Sequence, residues 1–311
     1  MSAEQPMDVF QTEQGTWHLR ALQGLAEYEA AVRLQEITWG EGFSQRVPTS
    51  LLNVAQRIGG VASGAFTPEG ELVGFVFGLT GVEGDRLVHW SDMLAVHPDV
   101  RRFGLGVALK HHQRRLVQAL GVETMYWTTD PLEAGNANLN FNRLGARAVA
   151  YHVDFYGSSD SPLHGTLPTD RFLIQWDLAA PQPVSAPQAA SAISDDDGGA
   201  MATPIAQLPA LVEVAREGAQ LRPRVEAMPP VEMWSAGVES GVERGVERAG
   251  AVRVAIPRDM RVVRQQGAAL ALEWRLAVRE AIEPLMAAGA WVDAAAYDAD
   301  VTWLRLRWPA R

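Results

Sequence analysis

Between Leu87 and Lys110 the chain sets anion-binding and proton-accepting residue types within one short stretch. Arg101, Arg102, Phe103 and Gly104 open directly into a segment whose apolar residues, among them Leu105, Leu109, Leu116 and Leu120, follow a helical spacing. A loop at a helix N-terminus leaves several backbone N–H groups unpaired and pointing one way, with the positive end of the helix dipole behind them. Gly104 and Gly106 carry no Cβ, so a phosphate can come close to the main chain. The spacing is not that of a dinucleotide fingerprint, and no Gly-Lys-Ser/Thr follows as a nucleoside triphosphate loop requires. Upstream, the apolar run from Leu87 to Val96 reads as a strand. Its alternation puts Trp90 and Asp92 on one face and His89 and Ser91 on the other. Asp92 and His89 are the groups there that could take a proton in general base catalysis, whereas His97, next to Pro98, reads as a turn cap.

These residues need a strand, a loop and a helix to hold them, and the neighbouring sequence supplies more elements. Residues 60–66 and 71–79, joined by 67–70, carry a hairpin signal. Residues 123–128 form a further strand, so 87–128 reads strand, helix, strand and implies a parallel pair with a right-handed crossover. Residues 1–15 read as polar and loose, with a first strand at 17–20. Residues 25–38 and 51–58 have helical spacing and flank a break at 40–48. Asn136 to Leu144 reads as a short helix closed by Gly145, followed by strands at 149–156 and 171–178. The composition of 179–197 is that of a linker, and the Gly-Val-Glu-x quasi-repeat over 235–248 is too short a unit to bury a face. Beyond it, 252–257, a helix over 268–288 containing Pro284, and a hairpin over 291–308 make a small β-α-β-β unit.

Leu94, Ala95, Val96, His97 and Pro98, followed by Arg101-x-x-Gly104-x-Gly106, resemble the acyl-CoA-binding signature of the GNAT superfamily of N-acyltransferases. The stretch 127–132 with Asp130-Pro131, then Asn136, Asn140, Leu144-Gly145, Tyr156-Gly157 and 167–172, resembles a branch of predicted GNAT acyltransferases. That branch carries a C-terminal extension with a Glu/Asp-Trp-Arg helix, which Glu273-Trp274-Arg275 fits. The likeness covers about 15–178 well and 251–308 loosely.

The resemblance implies an α/β (α+β) fold, a mixed and mostly antiparallel sheet flanked by helices. It places an acyl-CoA-binding domain at 1–180, a linker and irregular region at 181–250, and the β-α-β-β extension at 251–311, docked on the first domain. Acetyl-CoA or another acyl-CoA is the implied co-substrate. Its binding falls to Leu94, Ala95, Val96, Arg101, Arg102, Phe103, Gly104, Leu105, Gly106 and Val107, with the loop on the pyrophosphate. Asn136 and Asn140 are either pantetheine contacts or helix caps. Asp92 becomes the general base, with His89 as the alternative. The helix–loop–helix at 25–58 flanks the acceptor in this family, which makes Phe43, Arg46 and Val47 substrate contacts, and Trp90 on the 87–96 strand is a further substrate-binding candidate. The family's tyrosine acid falls on Phe141, which has no proton to donate. Tyr126, Tyr151 or water would protonate the thiolate instead. The implied reaction donates acetyl or succinyl to the amino group of a small molecule such as an amino acid, with Arg46 suited to a carboxylate. A non-catalytic acyl-CoA sensor or interaction module on the same scaffold is the competing reading.

Composition sets bounds on partners. A net charge of −10 argues against nucleic acid or an anionic membrane. The absence of cysteine removes disulfides, cysteine metal sites and thiol catalysis, and no metal site is expected. No window of about 18 apolar residues is present, and the start of the chain lacks a basic and apolar signal, so a cytoplasmic protein is expected. A homodimer is compatible with the sequence. Arginine supplies nearly all the basic charge. Lys110 is the sole lysine, read here as compositional bias without function.

Overall fold

The computed structural model describes residues 7–157, 167–180, 204–218, 220–226 and 250–308. These group into two compact units, 7–127 with 176–180, and 128–157 with 167–175 and the described residues from 204 onward. The division falls at 127, whereas the sequence suggests a boundary near 180.

In the first unit, strands β1 (Asp8–Thr12), β2 (Gly15–Ala21), β3 (Val61–Phe66), β4 (Leu72–Glu83) and β5 (Arg86–Val96) lie side by side in chain order, each antiparallel to the next. The start of β6 (Thr124–Thr129) joins β5 in parallel. That is the mixed, mostly antiparallel sheet expected. Helices α1 (Gly24–Trp39) and α2 (Thr49–Arg57) cover one face, where Tyr28, Leu34 and Leu52 pack with Phe75, Phe77 and Met93. Helix α3 (Leu105–Gln118) covers the other. Glycines of β4 let it approach, since a Cβ on Gly74 would lie 3.1 Å from Leu109 Cδ1. The sequence reads 1–15 as loose, yet Asp8–Thr12 forms β1. Its Asp8 carboxylate pairs with His112 and Arg115 of α3, and its Phe10 ring lies 5.9 Å from Trp17. The α3 partners are distant in sequence.

In the second unit, α4 (Ala134–Ala137) runs into a π-helical turn (Asn138–Arg143), and Gly145 follows in the left-handed region at φ 66°, as its C-cap role requires. The strands are β7 (Arg147–His152), β8 (Arg171–Asp177), β9 (Ala210–Glu217), β10 (Gln220–Val225), β11 (Ala251–Pro257), β12 (Trp291–Tyr297) and β13 (Val301–Arg307). Their order is β8, β7, β12, β13, β11, β9, β10, antiparallel except for β9 beside β11. Two helices cross from β11 to β12, α5 (Met260–Gln266) and α6 (Ala268–Ala287), where the sequence indicates one. Asp259 caps α5 and Gly267 separates it from α6.

The span 181–250 reads from its sequence as linker and irregular. Within it β9 and β10 form a hairpin, because Leu211 and Val212 are buried along with Ile205 and Leu208 just before them. Pro223 is tolerated because β10 is an edge strand. Residues 181–203 and the Gly-Val-Glu-x repeat lie outside the described residues. Among the described residues no helix is long and apolar enough to cross a membrane.

Candidate active site

Strand β5 is paired with β6 only through Val88, His89 and Trp90, matched to Thr124, Met125 and Tyr126. Past Trp90 and Tyr126 the two strands part, so the edge of β5 from Ser91 to Val96 has no strand partner on that side among the described residues. On its other side β5 pairs with β4, and the register skips one residue. Phe77 faces Met93 and Gly78 faces Ser91, leaving Asp92 as the extra residue of a β-bulge. The bulge reverses the alternation. Before it, His89 and Ser91 face α3, and after it Met93 and Ala95 join the core beneath α1 and α2, while Leu94 turns toward Gly106 of α3.

Asp92 is thus presented at the point where the strands separate. It is exposed, yet surrounding protein pushes its carboxyl pKa above the ordinary value, an effect tempered by a hydrogen bond from Trp90. The loop after β5 turns through Arg102 and Gly104, both at positive φ (74° and 86°), and Gly104 serves as the N-cap of α3 without any side-chain cap. The first closed turn runs from Ala108 N–H to the Gly104 carbonyl at 3.0 Å. The N–H groups of Leu105, Gly106 and Val107 therefore have no intrahelical acceptor. Gly106 has room above it: a Cβ added there would meet Leu94 Cδ2 as its nearest atom, at 3.8 Å. Arg101 and Arg102 are exposed, and Arg101 Nε donates to the Val96 carbonyl at 3.0 Å, which ties the loop back to the strand. An anion can be held here by main-chain donors with arginines beside it. Phosphate groups are anions of the kind such a site can take.

Beneath β5, on the α3 side, a closed line of hydrogen bonds runs from helix to sheet. Lys110 Nζ donates to Ser91 Oγ at 2.8 Å, and Ser91 donates to Gln113 Oε1 at 2.8 Å. Gln113 Nε2 lies 3.0 Å from His89 Nε2, His89 Nδ1 lies 2.9 Å from Thr80 Oγ1, and Thr80 donates to the Gly59 carbonyl at 2.6 Å. Because the Thr80 proton is committed to Gly59, His89 carries its own proton on Nδ1 and accepts from Gln113 on Nε2. Burial, with the Lys110 charge nearby, lowers its pKa to about 3, which keeps that tautomer neutral. Only glycine fits at position 78, where a Cβ would come within 2.3 Å of His89 Nε2. This corrects one expectation. His89 is fully buried with both ring nitrogens engaged, so it is not available to a substrate as a base.

Other sequence candidates fall as follows. Trp90 and Tyr126 are register partners on adjacent strands, and Tyr126 reaches Glu83 at 3.3 Å. Phe43 stacks on Trp39 with centroids 5.4 Å apart and packs against the cluster that contains Met93. Arg46 is exposed and paired with Glu36, while Gln35 fastens the next residue, Val47, through both of its main-chain groups. In the second unit Asn136 is exposed, Asn140 is buried, and Phe141 is buried in the π-helical turn. Tyr151, offered as a substitute acid, donates to Asp170 at 2.6 Å, and burial with that neighbour pushes its pKa upward, so it is not placed to protonate a thiolate.

The second unit also joins motifs that lie far apart in sequence. Arg275 Nη2 donates to Asp130 at 2.7 Å, with both side chains buried, and one turn along α6 Arg279 grips Asp170 through Nε at 2.9 Å and Nη2 at 2.7 Å. Burial pushes the carboxyl pKa of Asp130 up, but the Arg275 charge and hydrogen bond outweigh this and hold it below the ordinary value. Asp130-Pro131 and Glu273-Trp274-Arg275 thus meet as a buried ion pair. Sequence reasoning missed the Lys110 line, the bulge and this pairing; the one available signal was the uniqueness of Lys110.

No family model and no curated protein matches the chain. Among solved structures it is similar to the ribosomal-protein-S18-alanine N-acetyltransferase from Escherichia coli, at 18% identity and TM-score 0.40, covering 54% of this chain and 98% of that one. It is similar to Arabidopsis thaliana NAA60 in complex with acetyl-CoA, at 15% identity and TM-score 0.41, covering 52% of this chain and 99% of that one. An aminoglycoside 6'-acetyltransferase type Ii is matched at 19% identity and TM-score 0.39, covering 50% of this chain and 92% of that one. Likenesses of this size decide nothing about the reaction.

Proposed function

We propose that the chain transfers an acyl group, acetyl or succinyl, from an acyl-CoA to the amino group of a small molecule such as an amino acid. The observation that carries this reading is the fork after Trp90 and Tyr126, which exposes a strand edge beside the bulged Asp92 and leads into the α3 N-terminus. An extended pantetheine arm suits an unpaired strand edge, because its amides find main-chain partners there as an added strand would. Its pyrophosphate suits the free N–H groups of Leu105, Gly106 and Val107, with Arg101 and Arg102 alongside.

The chemistry then asks little of the protein. Asp92, directly or through one water, takes a proton from the ammonium of the acceptor. The amine attacks the thioester carbonyl, and main-chain N–H groups of the open β5 edge receive the developing oxyanion. As the tetrahedral species collapses and the C–S bond breaks, the surplus proton on the attacking nitrogen passes, through water or by way of Tyr126, to the departing thiolate, a good leaving group because thiol pKa values are low. Phe43 and Trp90 offer apolar walls for the acceptor. Arg46 would bind an acceptor carboxylate by exchanging Glu36 for it.

The test is direct because the chain has no cysteine to react with a thiol reagent. Acetyl-CoA and succinyl-CoA are each mixed with amino acids, other small amines and short peptides, and free thiol is followed. Release with one amine class supports the proposal. Asp92→Asn is then expected to lower the rate by roughly 10²–10⁴ while CoA still binds. It should also remove an acidic limb of kcat/KM that sits above the ordinary carboxyl value of 3.8, since the base must be ionised to act. Tight CoA binding by calorimetry with no thiol release on any amine would mark the non-catalytic sensor instead.

A further inference from the structure

Lysine is the residue type least expected in a core. This chain places its sole lysine there, with Lys110 2% exposed on the inner side of α3. Its Nζ lies 2.8 Å from Ser91 Oγ, 3.8 Å from Met125 Sδ, and 3.6 Å from the centroid of the Trp127 ring. Ser91 is the first residue of β5 past the last pair with β6, and Trp127 is the first residue of β6 past it. The amine therefore sits in the angle where the two strands part and touches each of them one step beyond the point of separation.

Among the described residues Lys110 makes no ion pair, and burial drives its pKa well below the ordinary value. An amine without a counter-charge is an expensive way to fill space that a methionine would fill without a desolvation cost. What a methionine lacks is a donor for Ser91. Ser91 immediately precedes the bulge residue Asp92, and the line from Lys110 through Ser91, Gln113 and His89 to Thr80 fixes its side chain from beneath. Lys110 and Asp92 lie on opposite faces of β5, so the lysine acts on the site only through the strand.

We infer that Lys110 is a positioning residue that fixes the β5–β6 fork and so keeps in order the strand edge and the bulged Asp92 that the acyl donor meets. The inference rests on the acyl-CoA reading for its function, but the fork exists without a ligand and is tested without one.

Two variants break the contact from its two ends, Lys110→Met from the helix and Ser91→Ala from the strand. Hydrogen exchange of the apo protein is read by mass spectrometry on peptides covering 91–96. Both variants are expected to raise exchange there at least fivefold while peptides of α1 and α2 stay at parent values. In parallel, CoA affinity is measured by calorimetry, and both variants should weaken it at least tenfold, with KM for acyl-CoA rising more than kcat falls. The lysine also gives a single resonance when labelled with ¹³C and ¹⁵N on its side chain, and CoA should shift it in the parent. If exchange over 91–96 is unchanged in both variants, the inference is overturned whether or not CoA binds. A parent that fails to bind CoA while its variants show the raised exchange overturns the acyl-CoA reading and leaves the role of Lys110 in the fork supported.

Discussion

The two units seat cations in opposite ways, Arg275 and Lys110 buried and Arg279 partly so. In the second, Arg275 and Arg279 descend from consecutive turns of α6 onto Asp130 and Asp170, each guanidinium meeting a carboxylate at hydrogen-bond distance. In the first, Lys110 meets a hydroxyl, a thioether and an indole face. A guanidinium keeps its charge in nearly any surroundings, so it must be paired when buried; an amine has the option of losing its proton. The difference separates cations that join chain segments from one that shapes an opening. The paired arginines tie segments 145 and 109 positions apart. The lysine, without an ion pair among the described residues, stands where the pairing of β5 with β6 stops.

The largest effect expected from breaking this comparison lies in the paired region. Asp130→Asn leaves Arg275 charged and buried, and should lower unfolding stability by about 3–5 kcal/mol, measured as a shift in denaturant midpoint. Because the folded pKa of Asp130 is depressed, the parent holds this contribution above the ordinary value of 3.8 and loses it as pH falls through the lower folded value. The variant should therefore show less acid sensitivity than the parent. Adding Arg275→Met to Asp130→Asn should restore much of the loss, since a buried pair replaced whole is often nearly neutral. No recovery would mean that the pair contributes more than packing can replace.

A comparable effect should come from His89. Its pKa of about 3 in the folded state against 6.5 in the unfolded one means that the unfolded state binds the proton first as pH falls. Stability is then full above pH 6.5 and is lost by as much as roughly 4–5 kcal/mol on descending to pH 3. His89→Gln should flatten that part of the profile.

Lys110→Met is expected to do little to stability, about 1 kcal/mol in either direction, because a desolvation penalty and a hydrogen bond disappear together. The sign of the pH dependence is the sharper readout. A depressed lysine pKa makes the parent gain stability as pH rises from the folded value toward 10.5, and the variant should lack that slope. The smallest stability change belongs to Gly106→Ala. The position has ordinary space and no left-handed backbone, so a gain of about 0.5–1 kcal/mol is expected. CoA affinity should nevertheless fall, since the methyl group stands where phosphate would approach. Gly104→Ala is a poorer probe, as φ of 86° and the Phe10 ring at 3.3 Å from an added Cβ would strain the loop itself.

The regular elements could be read from the sequence because their signals are local. The β3–β4 hairpin, the β5 strand, α3 and the closing β12–β13 hairpin all declare themselves by apolar period and turn residues. What could not be read depends on pairing. The bulge at Asp92 is invisible to a period-two count, since the register of β4 creates it. β1 is held by Asp8 against α3, more than a hundred positions away. The resemblance points to both Asp130-Pro131 and Glu273-Trp274-Arg275, but nothing in the spacing says that one holds the other. Compositional bias is the natural reading of Lys110 in sequence, because a surface lysine is the default. Its burial follows from Gln113 and Ser91, which a helical wheel alone does not supply.

The seating of Lys110 also bears on how this chain would fare among activated acyl groups such as thioesters. Activated acyl groups react slowly with any accessible primary amine, and guanidinium groups, always protonated, do not compete for them. This chain has one side-chain amine, and the fold closes it off from solvent. Its exterior therefore offers no lysine for a stray acyl donor to mark, so the protein can stand in high concentrations of such donors without its lysine being modified. Amine-directed labels and cross-linkers should for the same reason pass that lysine by until the first unit unfolds.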